Sequence, residues 1–183
     1  MPRRDFVVDK QTVYQGSVLS VNRYRFRRPD GEEIERDIAE RPESVLVLPI
    51  GRQGAVLLIE KLDLGAGVWQ LTIPGGRAID TDSKALCDQA AMELREETGY
   101  RAGKIEKLVD IYSHPGYVSH KVHLFVAYDL EWDPLNMEGG EEIVVKTFTL
   151  DEALAATRHD YRCDPQAALA LLLYAGKQRF SIG

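Results

Sequence analysis

Cysteine is scarce in this chain. Cys87 and Cys163 are the only two in 183 residues and lack metal-ligand spacing. This argues against a disulfide framework or a cysteine-held zinc, and suits a reducing cytoplasm. Cys87 falls in a helical stretch and reads as a packed residue. No apolar run approaches the roughly 20 residues needed to cross a bilayer, so no membrane partner is expected. The opening MPRRDFVVDK carries basic residues but no apolar segment, so it does not read as a secretory signal. An excess of positive charge is missing too. The 29 acidic residues outnumber the 23 basic ones for a net charge of −6, which argues against a nucleic-acid partner or an anionic membrane surface. Repeats, low-complexity tracts and long linkers are absent, and a chain of this length is expected to form one domain over residues 1–183.

Enough is present for a sizeable core. Residues 44–50 (SVLVLPI) and 55–61 (AVLLIEK) read as apolar strands joined through Gly51-Arg52-Gln53-Gly54, and residues 68–73 as a third. Ahead of them, residues 11–41 read as a hairpin. Val13, Val18, Val21 and Tyr24 are strand formers, Arg28-Pro29-Asp30-Gly31 supplies the turn, and Ile34 and Ile38 continue the return arm. This arm is rich in arginine, as suits a solvated sheet edge. Further strands are predicted over 104–112, 121–130 and 143–148. The capping box Thr149-x-x-Glu152 opens a short helix, and Asp164-Pro165 opens a last one. Strands with helices between and after them indicate an α/β sandwich.

The most informative stretch is residues 75–100, GGRAIDTDSKALCDQAAMELREETGY. Pro74 and two glycines predict a turn that backbone or ligand can approach closely. A helix follows over 83–98, closed by Gly99. Leu86, Ala90 and Leu94 form its apolar stripe. Glu93, Glu96 and Glu97, at i, i+3 and i+4, put three carboxylates on one face. Their repulsion favours a hard, oxygen-seeking cation, Mg²⁺ or Mn²⁺, although acidic triplets on helices are commonly just solvated.

This stretch resembles the Nudix box, G-x5-E-x7-R-E-U-x-E-E-x-G-U with U apolar. Gly76, Glu93, Leu94, Glu96, Glu97, Gly99 and Tyr100 match. Asp82 stands in place of the first Glu and Met92 in place of the Arg, and the segment between them is two residues longer than the pattern. The resemblance implies an α/β/α sandwich with a mixed sheet. It also implies a metal shell of Glu93, Glu96 and Glu97 completed by the Gly75 carbonyl. The long N-terminal hairpin, residues 1–43, resembles the exchanged arm of dimeric ADP-ribose and nucleotide-sugar enzymes. That likeness implies a homodimer and makes Arg36 the arm's candidate for lining the partner's site.

Other positions follow from the same resemblance. The loop Met137 to Ile143 is similar to a late acidic loop that carries the last ligand or base, and Glu141 is the matching residue. Ser113-His114-Pro115-Gly116 resembles an S-P-G loop near the substrate's terminal sugar, with a histidine inserted, which brings in Gly116. The Q-x-R segment of the ADP-ribose group is Glu60-Lys61-Leu62-Asp63 here, and its usual acidic residue before L-P-x-G is Thr72. Lys61 or Arg77 is then expected to take the phosphate contact, and an inward Asp63 would oppose it. His120 and His123 are read as sharing one strand face, either as metal ligands or as surface residues.

The sequence thus supports a metal-dependent hydrolase acting on a nucleoside diphosphate joined to another moiety, ADP-ribose or a nucleotide sugar. Glu97, Glu96 and Glu141 are its candidate catalytic residues. Asp82 and Met92 motivate the alternative, a catalytically weakened domain that senses such a nucleotide. A purely structural acidic domain is the third reading.

Overall fold

The structure is a computed structural model that describes residues 6–135, 142–159 and 162–180. In chain order the strands are β1 (Val7–Gln15), β2 (Ser20–Arg27), β3 (Glu33–Glu40), β4 (Ser44–Pro49), β5 (Val56–Asp63), β6 (Val68–Thr72) and β7 (Gly75–Arg77). Helix α1 (Ser83–Thr98) follows, then β8 (Tyr100–Tyr112), β9 (Val118–Ser119), β10 (Lys121–Trp132) and β11 (Val144–Phe148), and helices α2 (Leu150–Ala156) and α3 (Pro165–Phe180). The chain divides into two compact units, residues 1–43 with 112–121, and residues 44–111 with 122–183.

The first unit holds a sheet in the order β1-β2-β3-β9. The predicted turn at Arg28–Gly31 is present. Gly31 donates to the Arg28 carbonyl at 2.9 Å, and Gly31 adopts a φ of 89° that favours glycine. The expected hairpin is, however, a meander of three strands. The chain also reverses at Gly16, whose N–H donates to the Leu19 carbonyl at 2.9 Å. A Gly-Ser turn interrupts the outgoing arm there. The arginines are largely matched by acids on the same strands and the neighbouring one. Arg23 reaches Asp37 at 2.8 Å and Arg27 reaches Glu33 at 2.8 Å.

The second unit is layered. One sheet runs β7-β4-β10-β8, with β4 parallel to β10 and antiparallel to β7. Side chains alternate across it. Val45, Val47, Phe125 and Ala127 pack with Leu86, Ala90 and Leu94 of α1. Leu48, Val122, Leu124 and Val126 pack with Ala167, Ala170, Leu171 and Tyr174 of α3. This is the α/β/α sandwich expected from the sequence. A second sheet, β11-β5-β6, is antiparallel. The predicted helix caps are present. Thr149 and Glu152 form a reciprocal box at the start of α2, and Asp164 accepts from the N–H groups of Gln166 and Ala167 at 2.9 and 3.0 Å.

Candidate active site

Helix α1 is positioned at both ends. Asp82 is its N-cap, accepting from Lys84 N–H at 2.9 Å. Gly99 closes it with a φ of 76° and an N–H bonded to the Arg95 carbonyl at 2.9 Å. Leu86, Ala90 and Leu94 are almost wholly buried, which fixes the helix rotation and turns Glu93 and Glu97 toward the glycine segment.

That segment is not the free turn expected from Pro74-Gly75-Gly76. Residues 75–77 form strand β7 against β4, with Val45 opposite Gly76 and Leu46 opposite Gly75. Both glycines are needed for close approach. A Cβ on Gly75 would collide with the Val45 carbonyl, and one on Gly76 would collide with the Glu93 carboxylate.

Three contacts hold the carboxylates. The Gly75 N–H donates to Glu97 at 2.8 Å. The Lys61 ammonium stands 3.3 Å from the other Glu97 oxygen. Gln89, one turn back on α1, donates to Glu93 at 2.7 Å. The Glu97 side chain is only 11% exposed. Burial, with the nearby Glu93 charge adding to it, pushes the Glu97 carboxyl above the ordinary glutamate value, although Lys61 and the Gly75 N–H pull the other way. A crowded, buried carboxylate of this kind would be relieved by an added cation. The donor set therefore suits a hard metal, with Glu93 and Glu97 as its carboxylates from α1.

Glu96 is half-buried on α1. Among the described residues no three His, Cys, Asp or Glu side chains are gathered into a metal-binding cluster. Sharing a helix face therefore does not by itself make the three glutamates converge. Glu141 lies outside the described residues. Arg77 is exposed at the end of β7. Arg36 and Gly116 belong to the first compact unit. Arg36 is exposed on β3 and donates to the Glu35 carbonyl at 2.7 Å. Gly116 has open space around it.

Several departures from the Nudix pattern have structural accounts. Asp82 serves as a helix cap, a task for which aspartate suits better than glutamate. Met92 is 40% exposed and so lies outside the core. Arg95 is committed to Asp133, donating to its backbone carbonyl at 2.7 Å and reaching its carboxylate at 2.9 Å. Asp63 accepts from Ala66 N–H at 2.7 Å within the β5–β6 turn. The histidine reading needs correction. A spacing of three places side chains on opposite faces of a strand, not one. Both are also buried and bonded rather than on the surface. His120 lies ahead of β10, 3.1 Å from the Ser113 hydroxyl. His123 lies within β10, 2.6 Å from Asp110. Gln89 was not foreseen, although its i, i+4 spacing to Glu93 was readable.

Comparison with known proteins gives the family. The NUDIX domain family model matches residues 40–167, and the chain belongs to the Nudix family. It is a Nudix hydrolase, of a family that generally works with divalent metal ions. It is 26% identical to an ADP-ribose pyrophosphatase of Bacillus subtilis (strain 168) over 166 residues, covering 90% of this chain and 89% of that one. It is 31% identical to a GDP-mannose pyrophosphatase of Cronobacter sakazakii over 180 residues, covering 91% and 92%. A crystal structure of an ADP compounds hydrolase superposes with a TM-score of 0.83 at 21% identity, covering 96% of this chain and 94% of that one. That similarity speaks for the fold.

Proposed function

We propose that this protein hydrolyses a nucleoside diphosphate joined to a sugar, ADP-ribose or a nucleotide sugar, to a nucleoside monophosphate and a sugar phosphate. The observation that carries the reading is the buried Glu97, held by Lys61 and the Gly75 N–H beside Glu93. Relatives that act on ADP-ribose and GDP-mannose support the substrate class.

In the proposed reaction a water oxygen bonds to one phosphorus, the bridging P–O bond breaks, and the water proton passes to a base. Glu93, Glu96, Glu97 and the Gly75 carbonyl would hold Mg²⁺ or Mn²⁺, which when bound neutralises diphosphate charge and acidifies water. Lys61 and the Gly75 N–H orient the Glu97 carboxylate and oppose the effect of burial on it. We assign the base to Glu141 and phosphate contacts to Lys61 and Arg77. Arg36 is assigned, through the exchanged arm, to the partner's site, and Gly116 to the substrate's terminal sugar. Residues 1–183 would act as one domain, with 1–43 as an arm that a second copy completes. The free thiols of Cys87 and Cys163 suit a reducing cytoplasm. The sensor alternative rests on Asp82 and Met92; the capping role of Asp82 gives that one departure a cause other than lost activity.

The test is a screen of ADP-ribose and nucleotide sugars with Mg²⁺ or Mn²⁺, following monophosphate release, with Glu97→Gln alongside. Turnover should depend on the added metal. The variant should fold normally and lose about a hundredfold or more in kcat, roughly 3 kcal/mol of transition-state stabilisation. Metal-independent turnover, or an unchanged kcat in the variant, would remove Glu97 from the chemistry.

A further inference from the structure

One face of β5 turns toward the carboxylates of α1. Lys61 points to Glu97, so Glu60, the preceding residue, faces the other way. The register places Glu60, Trp69 and Phe148 together on that opposite face, since Trp69 pairs with Leu62 and Phe148 with Val56. There they line an open cleft of about 620 Å³, bordered also by α2 and by the exposed His159 and Arg162. Nothing in the hydrolytic site accounts for this cleft.

Its chemistry is selective. Trp69 is 45% exposed and borders the cleft, so its indole face is open to a ligand. The two acids in the lining are already committed. Glu60 is ion-paired to Lys146 at 2.5 Å, and Glu152 closes the capping box by accepting from Thr149 at 2.8 Å. The guanidinium of Arg162 and the imidazole of His159 are the remaining polar groups. Arg162 is anchored through its backbone, its carbonyl accepting from Leu71 N–H at 2.8 Å, its side chain is exposed, and its guanidinium makes no ion pair among the described residues. An exposed indole next to a guanidinium and an imidazole suits a ligand with a planar ring at one end and an anion at the other. The volume matches a small-molecule pocket.

We propose that this cleft is a second binding site, separate from the hydrolytic carboxylates, for a nucleoside monophosphate. The base stacks on Trp69 and the phosphate meets Arg162 and His159. The assignment stands on the cleft's own chemistry and is independent of which diphosphate the enzyme cleaves.

The experiment uses full-length protein carrying Trp132→Phe, so that Trp69 is the remaining tryptophan. It is titrated with AMP in EDTA, which silences metal-dependent binding elsewhere. AMP should quench Trp69 fluorescence saturably, with half-saturation below about 1 mM. Adenosine alone and inorganic phosphate alone should each bind at least about tenfold more weakly. Arg162→Ala should weaken AMP by about tenfold or more while leaving adenosine unchanged, and Arg162→Lys should fall between. Absence of saturation up to about 10 mM AMP, or an AMP titration indifferent to Arg162→Ala, would overturn the proposal. Quenching in a protein that fails the hydrolysis screen would sink the hydrolase reading and leave the cleft standing.

Discussion

Burial and the positive charge of Arg41 hold the His120 imidazole down to about 4, against a weaker opposing pull from Glu43. The sign of the consequence follows from linkage. Well above pH 6.5 the ring is neutral in both folded and unfolded chains and adds no pH dependence. As pH falls from 6.5 toward 4 the unfolded chain takes up the proton first, so the native state loses stability, by up to about 3 kcal/mol from this ring. His120→Gln is expected to lose less stability than the parent protein when urea unfolding is repeated at pH 7 and pH 4.5. Equal losses in the two proteins would mean that His120 titrates normally. Other acids also weaken the fold on acidification, so the informative quantity is the gap between parent and variant. The same residue shows a limit of sequence reading. The identity and spacing of His120 and His123 were visible, but their partners Ser113 and Asp110 are set by strand pairing.

Among the elements, α1 was the most legible. Its bounds, its buried stripe Leu86, Ala90 and Leu94, and its Gly99 stop all follow from local rules and match the structure. The short strand β7 was hidden because Pro-Gly-Gly is turn chemistry, and only a tertiary neighbour, β4, draws it into a sheet. The Gly-Ser reversal at Gly16 was likewise hidden within a run of strand formers. For the site, sequence supplied Glu93, Glu97 and Lys61. It supplied neither the Gly75 N–H bond nor the reason for Gly76, which is space for the Glu93 carboxylate. Gly76→Ala should therefore cost on the order of 2 kcal/mol in urea unfolding and disturb Glu93. Gly116→Ala, which meets open space, should change stability by less than about 0.5 kcal/mol. Equal, small effects at the two positions would show that the Glu93 carboxylate swings aside freely.

At the scale of the molecule, β1 is an edge strand with Val8 39%, Val13 53% and Tyr14 57% exposed. Edges with so much apolar surface invite pairing, and a second copy is the expected cover. Sedimentation at micromolar concentration should give a dimer, and removal of residues 1–41 should give a poorly soluble or inactive product. A monomer for the full chain, or a soluble and fully active truncation, would rule out the arm as a dimer element.

The parallel pairing of β4 with β10 also has a meaning in time. Ser44 lies opposite Val122, so a ribosome making roughly 5–20 residues each second completes the second strand about 4–16 s after the first. Through that interval Val45, Val47 and Leu48, all destined for full burial, have no permanent neighbour on one side. The strand that anchors the glycine segment thus waits for the later half of its own chain. A nascent chain halted before residue 121 should remain open to protease at β4, and one released beyond residue 132 should begin to close over it.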